Sequence, residues 1–386
     1  MPEDIKELPR KAEPSDSLFS YFKDRTQTAY GFEENYRDNL LSKDNNKQEE
    51  FISTLEGEIF FSDPRGSVLY GLDYEVNLRR YYFKRVQAAD QDFHAFLDID
   101  PGGRYKYGFR YDFTVDNSFT FGTREPGIDT IQRSTQLIRD HSHNFGASYR
   151  YALNDTNSLV PRATYSIDRT IRPVTSKFAD RTVLTTSLDI DHDLKPDWIL
   201  FGGYGFEDSR IPIDSRKDSQ GHGIHAGLRY ELSQITDLET EFSIIRREYK
   251  TGKSSAGPAS RLTGKHLLNP RTTLKFNCAS SSIPSYSSTS LEFHNMSLAG
   301  ETTYELTPLV KVTLGGAYDR ATPKKDSSLG GTTPQSTKAS NRFSLKTAVE
   351  WDLRDNLHLS LYYTYTRAKE SDFTTNNVVL QIEKAL

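Results

Sequence analysis

Residues 104–115 read RYKYGFRYDFTV, with Tyr105, Tyr107, Phe109, Tyr111, Phe113 and Val115 at the odd positions. The even positions hold Arg104, Lys106, Gly108, Arg110, Asp112 and Thr114. A strand sends alternate side chains to opposite faces. This stretch therefore predicts a strand with one aromatic face and one charged face, and the function turns on which of them meets water. The pattern recurs along the chain. Val68, Tyr70, Leu72, Tyr74, Val76 and Leu78 alternate with Gly71, Asp73, Glu75, Asn77 and Arg79. Phe343, Leu345, Val349, Trp351 and Leu353 stand opposite Arg342, Lys346, Glu350 and Asp352. Segments 198–206, 222–232, 238–244, 310–318 and 357–365 repeat it. A period of two over such lengths is the signature of β-strands, and helical periodicity is nearly absent.

Composition narrows the setting of these strands. The 386 residues are only 35% hydrophobic, yet 12% are aromatic, with 22 Tyr, 22 Phe and 2 Met. Large amphipathic rings suit a boundary between oil and water better than an aliphatic core. Lys and Arg number 49 against 53 Asp and Glu, so no basic excess points to nucleic acid. The single Cys278 excludes an internal disulfide framework and a multi-cysteine zinc site. No apolar run reaches the roughly 18 residues of a membrane helix. The opening MPEDIKELPRKAEPSD is charged and lacks the apolar core of a signal peptide.

Connections separate the candidate architectures. Short turns rich in Pro, Gly, Asn and Asp fall at 62–66, 101–103, 154–157, 195–197, 233–236, 269–271, 307–308 and 354–356. Longer polar connections, at 117–138, 171–178, 209–218, 251–259 and 322–340, lie between them. Eight tight turns predict about eighteen strands, or sixteen if one short hairpin in 260–290 is dropped. A soluble sandwich or barrel would bury the aromatic face, and a propeller needs shorter strands. A transmembrane barrel wets the charged face instead, with short periplasmic turns and longer extracellular loops. Its strands need about 9–11 residues tilted by about 45°, which these segments supply. Tyr70, Tyr82, Tyr105, Tyr151, Tyr230, Tyr318 and Tyr365 fall near strand ends, as in an interfacial aromatic girdle. The expected fold is all-β: a transmembrane antiparallel up-and-down barrel over 26–386, preceded by a flexible periplasmic lead-in at 1–25. The expected location is the outer membrane of a Gram-negative bacterium, behind a signal peptide removed before residue 1.

The residues also carry a family resemblance. The stretch 30–81, YGFEENYRDNLLSKDNNKQEEFISTLEGEIFFSDPRGSVLYGLDYEVNLRRY, resembles the opening of the beta-barrel porin 2 group of Gram-negative bacteria. Tyr36–Asn39, Glu50–Gly57 and Arg65–Tyr74 occupy its loop, strand and hairpin motifs. LLNPRTTLKFNCASSS, YELTPLVKVTLGGAYDR and YTYTRAKESDFTTNNVVLQI are similar to its later turns and closing hairpin. The resemblance implies passage of an exopolysaccharide or smaller solutes across the outer membrane, with polysaccharide-export machinery as a partner. The chain departs from the pattern of such barrels at its last residue, Leu386, where an aromatic is usual.

In this fold the charged set lines the lumen. Its members are Asp73, Glu75, Arg79, Asp98, Arg104, Lys106, Arg110, Asp112, Arg150, Arg162, Asp189, Asp191, Arg229, Glu231, Glu239, Glu241, Lys275, Glu301, Lys311, Arg342, Lys346 and Glu350. Tyr70, Tyr105, Tyr107, Phe109, Tyr111, Phe113, Trp351 and Tyr363 are expected to face lipid. Phe60, Phe96, Phe201 and Tyr362 are the few lumenal aromatics, too few for a sugar-stacking slide. Glu58, Asp100, Asp189, Asp191, Asp193, Glu231, Glu239, Glu305 and Asp352 lie near tight turns and predict an acidic periplasmic rim. That rim either favours cationic and neutral solutes or is paired away by facing cations. Loop 117–138 is the expected constriction. His141 and His143 share a face but lack a third ligand at a metal spacing, and no nucleophile elbow or phosphate loop is present. No cofactor, metal site or enzymatic activity is expected. The pore is the preferred function. The alternatives are a closed structural or adhesive barrel with partner-binding loops, and an outer-membrane barrel hydrolase. The expected partners are outer-membrane lipid and lipopolysaccharide, with solutes or polymer in the lumen.

Overall fold

A computed structural model describes residues 26–38, 50–65, 67–121, 132–171, 180–212, 215, 218–232, 235–284, 292–323, 339–354, 357–368 and 373–385. These form eighteen strands: β1(Thr26–Arg37), β2(Glu50–Arg65), β3(Val68–Tyr81), β4(Val86–Ile99), β5(Tyr105–Phe121), β6(Gln132–Ala152), β7(Asn157–Ile171), β8(Arg181–Lys195), β9(Trp198–Arg210), β10(Ser219–Leu232), β11(Thr236–Tyr249), β12(Ser254–Asn269), β13(Thr272–Pro284), β14(Glu292–Thr307), β15(Val310–Pro323), β16(Ser340–Arg354), β17(Leu357–Ala368) and β18(Phe373–Ala385). Each pairs antiparallel with its neighbours in the chain, and β1 pairs with β18 from Ala29↔Ala385 to Arg37↔Asn377. The sheet thus closes on itself and has no free edge. Both strands of the doubtful region 260–290 are present, which decides for eighteen over sixteen.

Strands run from 12 to 21 residues, longer than the roughly 9–11 that a bilayer core requires. The connections between them collect at two ends. At the turn end, Asn154 Oδ1 accepts the Asn157 N–H at 2.8 Å and Asn269 Oδ1 accepts the Arg271 N–H at 2.9 Å. Asp100 Oδ1 accepts the N–H of Gly102, whose φ is 71°. Side chains that mimic a turn's own hydrogen bond explain why Asn and Asp recur there. At the loop end most connections are longer, with two corrections. Residues 82–85 and 250–253 are tight turns, so the long connection expected at 251–259 is mostly the start of β12. Gly252 at φ 78° makes that reversal possible. Ser254 to Ala259 are small on both faces, so their alternation carries no polarity contrast for the sequence to reveal. The connection expected at 117–138 narrows to 122–131. Its role as a constriction, like the lead-in 1–25, lies outside the described residues.

Curvature separates the faces. Several side-chain contacts leap over an intervening strand: Arg79 to Asp116 (3.8 Å, β3 to β5), Arg150 to Asp191 (3.7 Å, β6 to β8) and His225 to Asp189 (2.9 Å, β8 to β10). Tyr249 on β11 reaches Glu292 on β14 at 3.0 Å. Such reach exists only where side chains converge, so the charged set occupies the concave face. The opposite set carries Phe242, Ile224, Ile244 and Leu314 at 57–65% exposure. Only two small clusters of buried apolar residues occur among the described residues, around Ile52, Tyr81 and Ala88 and at Phe293 with Ala321. An apolar belt wrapped round a polar interior is the inverse of a soluble core.

Close backbone approach explains one glycine in the wall. A Cβ on Gly227 would lie 2.2 Å from the Thr240 carbonyl oxygen and 2.4 Å from Cζ of Phe201, whose ring covers the glycine. Gly227→Ala is expected to lower barrel stability by about 1–3 kcal/mol, read as a lower midpoint in urea unfolding from vesicles.

Candidate functional site

The concave wall divides into an acidic sector and a paired sector. The acidic sector spans β18, β1, β2, β3 and β4. Glu58, Glu75 and Asp92 stand directly abreast on β2, β3 and β4. One register step away, Gly31 lies between Glu56 and Glu383. Glu33 is two residues further along β1, and Asp73 adjoins the row from β3. Around them is a recess of about 220 Å³ lined by Ala29, Gly31, Glu56, Glu58, Glu75, Gln381 and Glu383, among others. A Cβ on Gly31 would sit 2.7 Å from Oε2 of Glu56, so the glycine keeps the recess open. Neutral donors support this row: Gln381 Nε2 donates to Glu56 Oε2 (2.9 Å) and Asn77 Nδ2 to Glu75 Oε1 (2.5 Å). Like charges directly opposite one another in a sheet are destabilising, so the row represents a cost in stability. Costs of that kind gather at functional surfaces.

The paired sector follows from β4 to β11, with one further pair between β16 and β17. Arg110 makes a two-pronged contact with Asp98, 2.8 Å on each side, and lies 5.5 Å over the Phe96 ring. Arg229 repeats the motif with Glu239 (3.1 Å) and the Phe201 ring (5.2 Å). Asp189, almost wholly buried, receives Arg162 and His225, and Asp191 faces Arg150. His358 contacts Asp352 at 2.6 Å, and His94 contacts Asp112. At the turn end Lys106 reaches Asp100 at 2.7 Å; that contact, with the Gly102 N–H, holds the Asp100 carboxyl below the usual carboxylate range.

The expected lumenal residues are distributed as follows. Asp73, Glu75, Arg79, Asp98, Lys106, Arg110, Asp112, Arg150, Arg162, Asp189, Asp191, Arg229, Glu231, Glu239 and Glu241 occupy concave register positions on β3–β11. Lys275, Glu301, Lys311, Arg342, Lys346 and Glu350 do so on β13–β16. Arg104 belongs to the turn before β5, not to the wall. Tyr70, Tyr105, Tyr107, Phe109, Tyr111, Phe113, Trp351 and Tyr363 stand on the convex face. Tyr105 and Tyr107 stack there with Tyr149 and Tyr151 at centroid distances of 5.0–6.3 Å. Of the acids expected at the rim, Asp100, Asp189, Asp191, Glu239 and Asp352 each meet a cationic or histidine partner, in line with the paired alternative. Clustered negative charge lies at Glu56, Glu58, Glu75, Asp92 and Glu383. His141 and His143 are convex, and no group of three His, Cys, Asp or Glu among the described residues could hold a metal ion.

Pattern reading missed a set of buried polar groups at the loop end. Glu50 accepts the N–H of Phe83 (2.7 Å) and Lys84 (3.2 Å), tying down the turn 82–85. Asp90 takes both the backbone and side-chain N–H groups of Asn117 (2.9 and 2.8 Å) and Arg79 (2.5 Å). Glu292 gathers Tyr249, Ser255, Ser282 and Arg247.

No protein-family model and no curated protein sequence matches the chain. Solved structures do. The chain shares its fold with outer-membrane proteins of Pseudomonas aeruginosa. A mutant of the ferric enterobactin receptor PfeA aligns at TM-score 0.52 and 9% identity, over 94% of this chain and 80% of that one. OccK2 (OpdF), crystallised in complex with glucuronate, aligns at 0.51 and 9%, over 94% and 97%. The outer membrane protein OpdK aligns at 0.50 and 8%, over 95% and 99%. At these identities the likeness concerns the closed antiparallel barrel alone.

Proposed function

We propose that the chain is an outer-membrane pore for small hydrophilic solutes, with a preference for cations set by the acidic sector. One observation carries the reading: an eighteen-strand barrel closes around a charged concave face and turns an exposed apolar belt outward. A barrel of this size has room for an aqueous channel, and rings of carboxylates favour cations in such channels. The acidic sector would disfavour an anion such as the glucuronate bound by OccK2. The Tyr, Trp and Phe residues of the convex face serve as its lipid contact. Reconstituted into planar bilayers, the chain should give steady current with a reversal potential of cation-selective sign across a salt gradient. Glu58→Gln with Glu75→Gln should move that potential toward zero without abolishing conductance. A folded barrel that passes anions preferentially would overturn the selectivity, and one that passes no current would overturn the pore.

Passage of an exopolysaccharide is a finer proposal, resting on the resemblance to the beta-barrel porin 2 group. Deletion of the gene should then leave polymer in the periplasm while small-solute uptake is unchanged. A closed structural barrel is the second reading. It is favoured by the burial of Glu50, Asp90, Asn117, Ser209 and Ser219 at the loop end, each 3% exposed or less.

A further inference from the structure

The convex face is not electrically symmetric between its two ends. At the loop end, just beyond the apolar belt, stand Arg80 on β3, Arg139 on β6, Arg169 on β7, Arg210 on β9, Arg246 on β11 and Arg367 on β17, all exposed. Among residues whose side chains are described, the turn end of the same face carries only Lys384 and, past the bulge closing β8, Lys195. Arg210 and Arg246 are answered by Asp208 and Glu248, each at 3.0 Å. Arg80, Arg139, Arg169 and Arg367 meet no carboxylate among the described residues.

The densest point lies on β6 and β7. Arg139 and His141 are successive convex positions on β6, and His141 is paired directly across the ladder with Arg169. Arg139 donates to Asn117 Oδ1 at 3.2 Å, a neutral partner. The His141 Nε2 atom is buried with no hydrogen-bond partner. Guanidinium groups match phosphate oxygens with paired donors. Below this point the same face continues into Phe113, His143, Phe145, Tyr165 and Ile167. The Phe113 and His143 rings lie 4.7 Å apart, as do those of Tyr111 and Phe145. A site with an anion-shaped head and an apolar floor fits an amphiphile better than a free ion.

We propose that the loop end of the convex face binds the phosphate groups of the phosphorylated glycolipid of the outer leaflet, with Arg139 and Arg169 as its tightest contact. The inference rests on the outer-membrane reading above, with the loop end outward, and is independent of whether the lumen conducts. The probe is lipid A in detergent micelles, diphosphorylated or enzymatically dephosphorylated, titrated against the purified barrel with retention scored by native mass spectrometry. The wild-type chain should retain the diphosphorylated form at least about tenfold more tightly, the worth of one charge-assisted contact. Arg139→Ala with Arg169→Ala should remove that margin and leave binding of the dephosphorylated form unchanged, while Arg139→Lys with Arg169→Lys should keep part of it. Heat-modifiable mobility on gels verifies that each variant is folded. Equal retention of the two lipids by the wild type, or an unchanged margin in the alanine variant, would overturn the inference. So would complete displacement by millimolar inorganic phosphate, which would mean a simple anion site. A wild-type chain that stays monodisperse without detergent would overturn the outer-membrane reading itself.

Discussion

Glu292→Ala is expected to lower the stability of the barrel by about 3–5 kcal/mol, the usual cost of removing one partner from a buried, hydrogen-bonded charge network. Glu292 is 2% exposed at the start of β14. Its two oxygens take hydroxyls from Tyr249 on β11 (3.0 Å), Ser255 on β12 and Ser282 on β13 (2.9 Å). Arg247 lies 3.8 Å away with its side chain 6% exposed, and donates to the Ser282 carbonyl at 2.7 Å. Truncation would leave this guanidinium with Glu207, at 3.5 Å, as its one remaining carboxylate among the described residues, and three hydroxyls would lose their acceptor. Folding into vesicles from urea provides the measurement, with the midpoint falling sharply while the slope stays constant. Arg247→Leu on top of Glu292→Ala should recover part of the loss, because the orphaned charge goes with it. An unchanged midpoint in the single variant would show that the network is ornamental. A double variant worse than the single would show that Arg247 is held by Glu207 and not by Glu292.

Glu292 also marks the boundary of what the sequence discloses. Alternation in RYKYGFRYDFTV defines strand, face and polarity at once, because period two is a local property of neighbouring residues. The tight turns disclose themselves for a similar reason: Asn154, Asn269 and Asp100 act on backbone groups two or three residues away. The strand count therefore follows from eight turns, and the side of the wall on which Asp73 or Lys346 stands follows from parity. Partnership does not. Asp189 and Asp191 look like a bare acidic rim along the chain, yet Arg162 meets Asp189 through the β7–β8 register, and His225 on β10 and Arg150 on β6 are brought close by curvature. Conversely, Glu58, Glu75 and Asp92 are ordinary surface acids in sequence. They become a row because the registers of β2, β3 and β4 align them. Pattern alone gives no hint that Ser282 on β13 serves a buried carboxylate on β14 that Tyr249 and Ser255 reach from β11 and β12. β12 shows the opposite failure, since small residues on both faces leave a true strand without contrast. Local chemistry is legible, and register-dependent chemistry is not.

Phe109→Arg is expected to destabilise the inserted barrel by about 2–4 kcal/mol, the depth-dependent cost of a lipid-facing arginine near the bilayer midplane. Phe109 is 46% exposed on the convex face, opposite Leu97 and Ala147 on the neighbouring strands. It sits between Tyr105 and Tyr107 toward the turn end and Tyr111 and Phe113 toward the loop end, in the middle of the apolar run. The comparison that gives the result its meaning is Thr114→Arg on the same strand. Thr114 pairs with Asp92, at the end of the row formed with Glu58 and Glu75, so a guanidinium there finds carboxylates and water. That variant should fold like the wild type and shift the reversal potential toward anions, whereas Phe109→Arg should lower stability and leave selectivity alone. The two substitutions introduce the same side chain five residues apart, so backbone propensity and net charge cancel between them. The face is the difference the pair is chosen to read. Were Thr114→Arg the destabilising one, the charged face would be the dry face, and the barrel, the pore and the lipid belt would all have to be given up together.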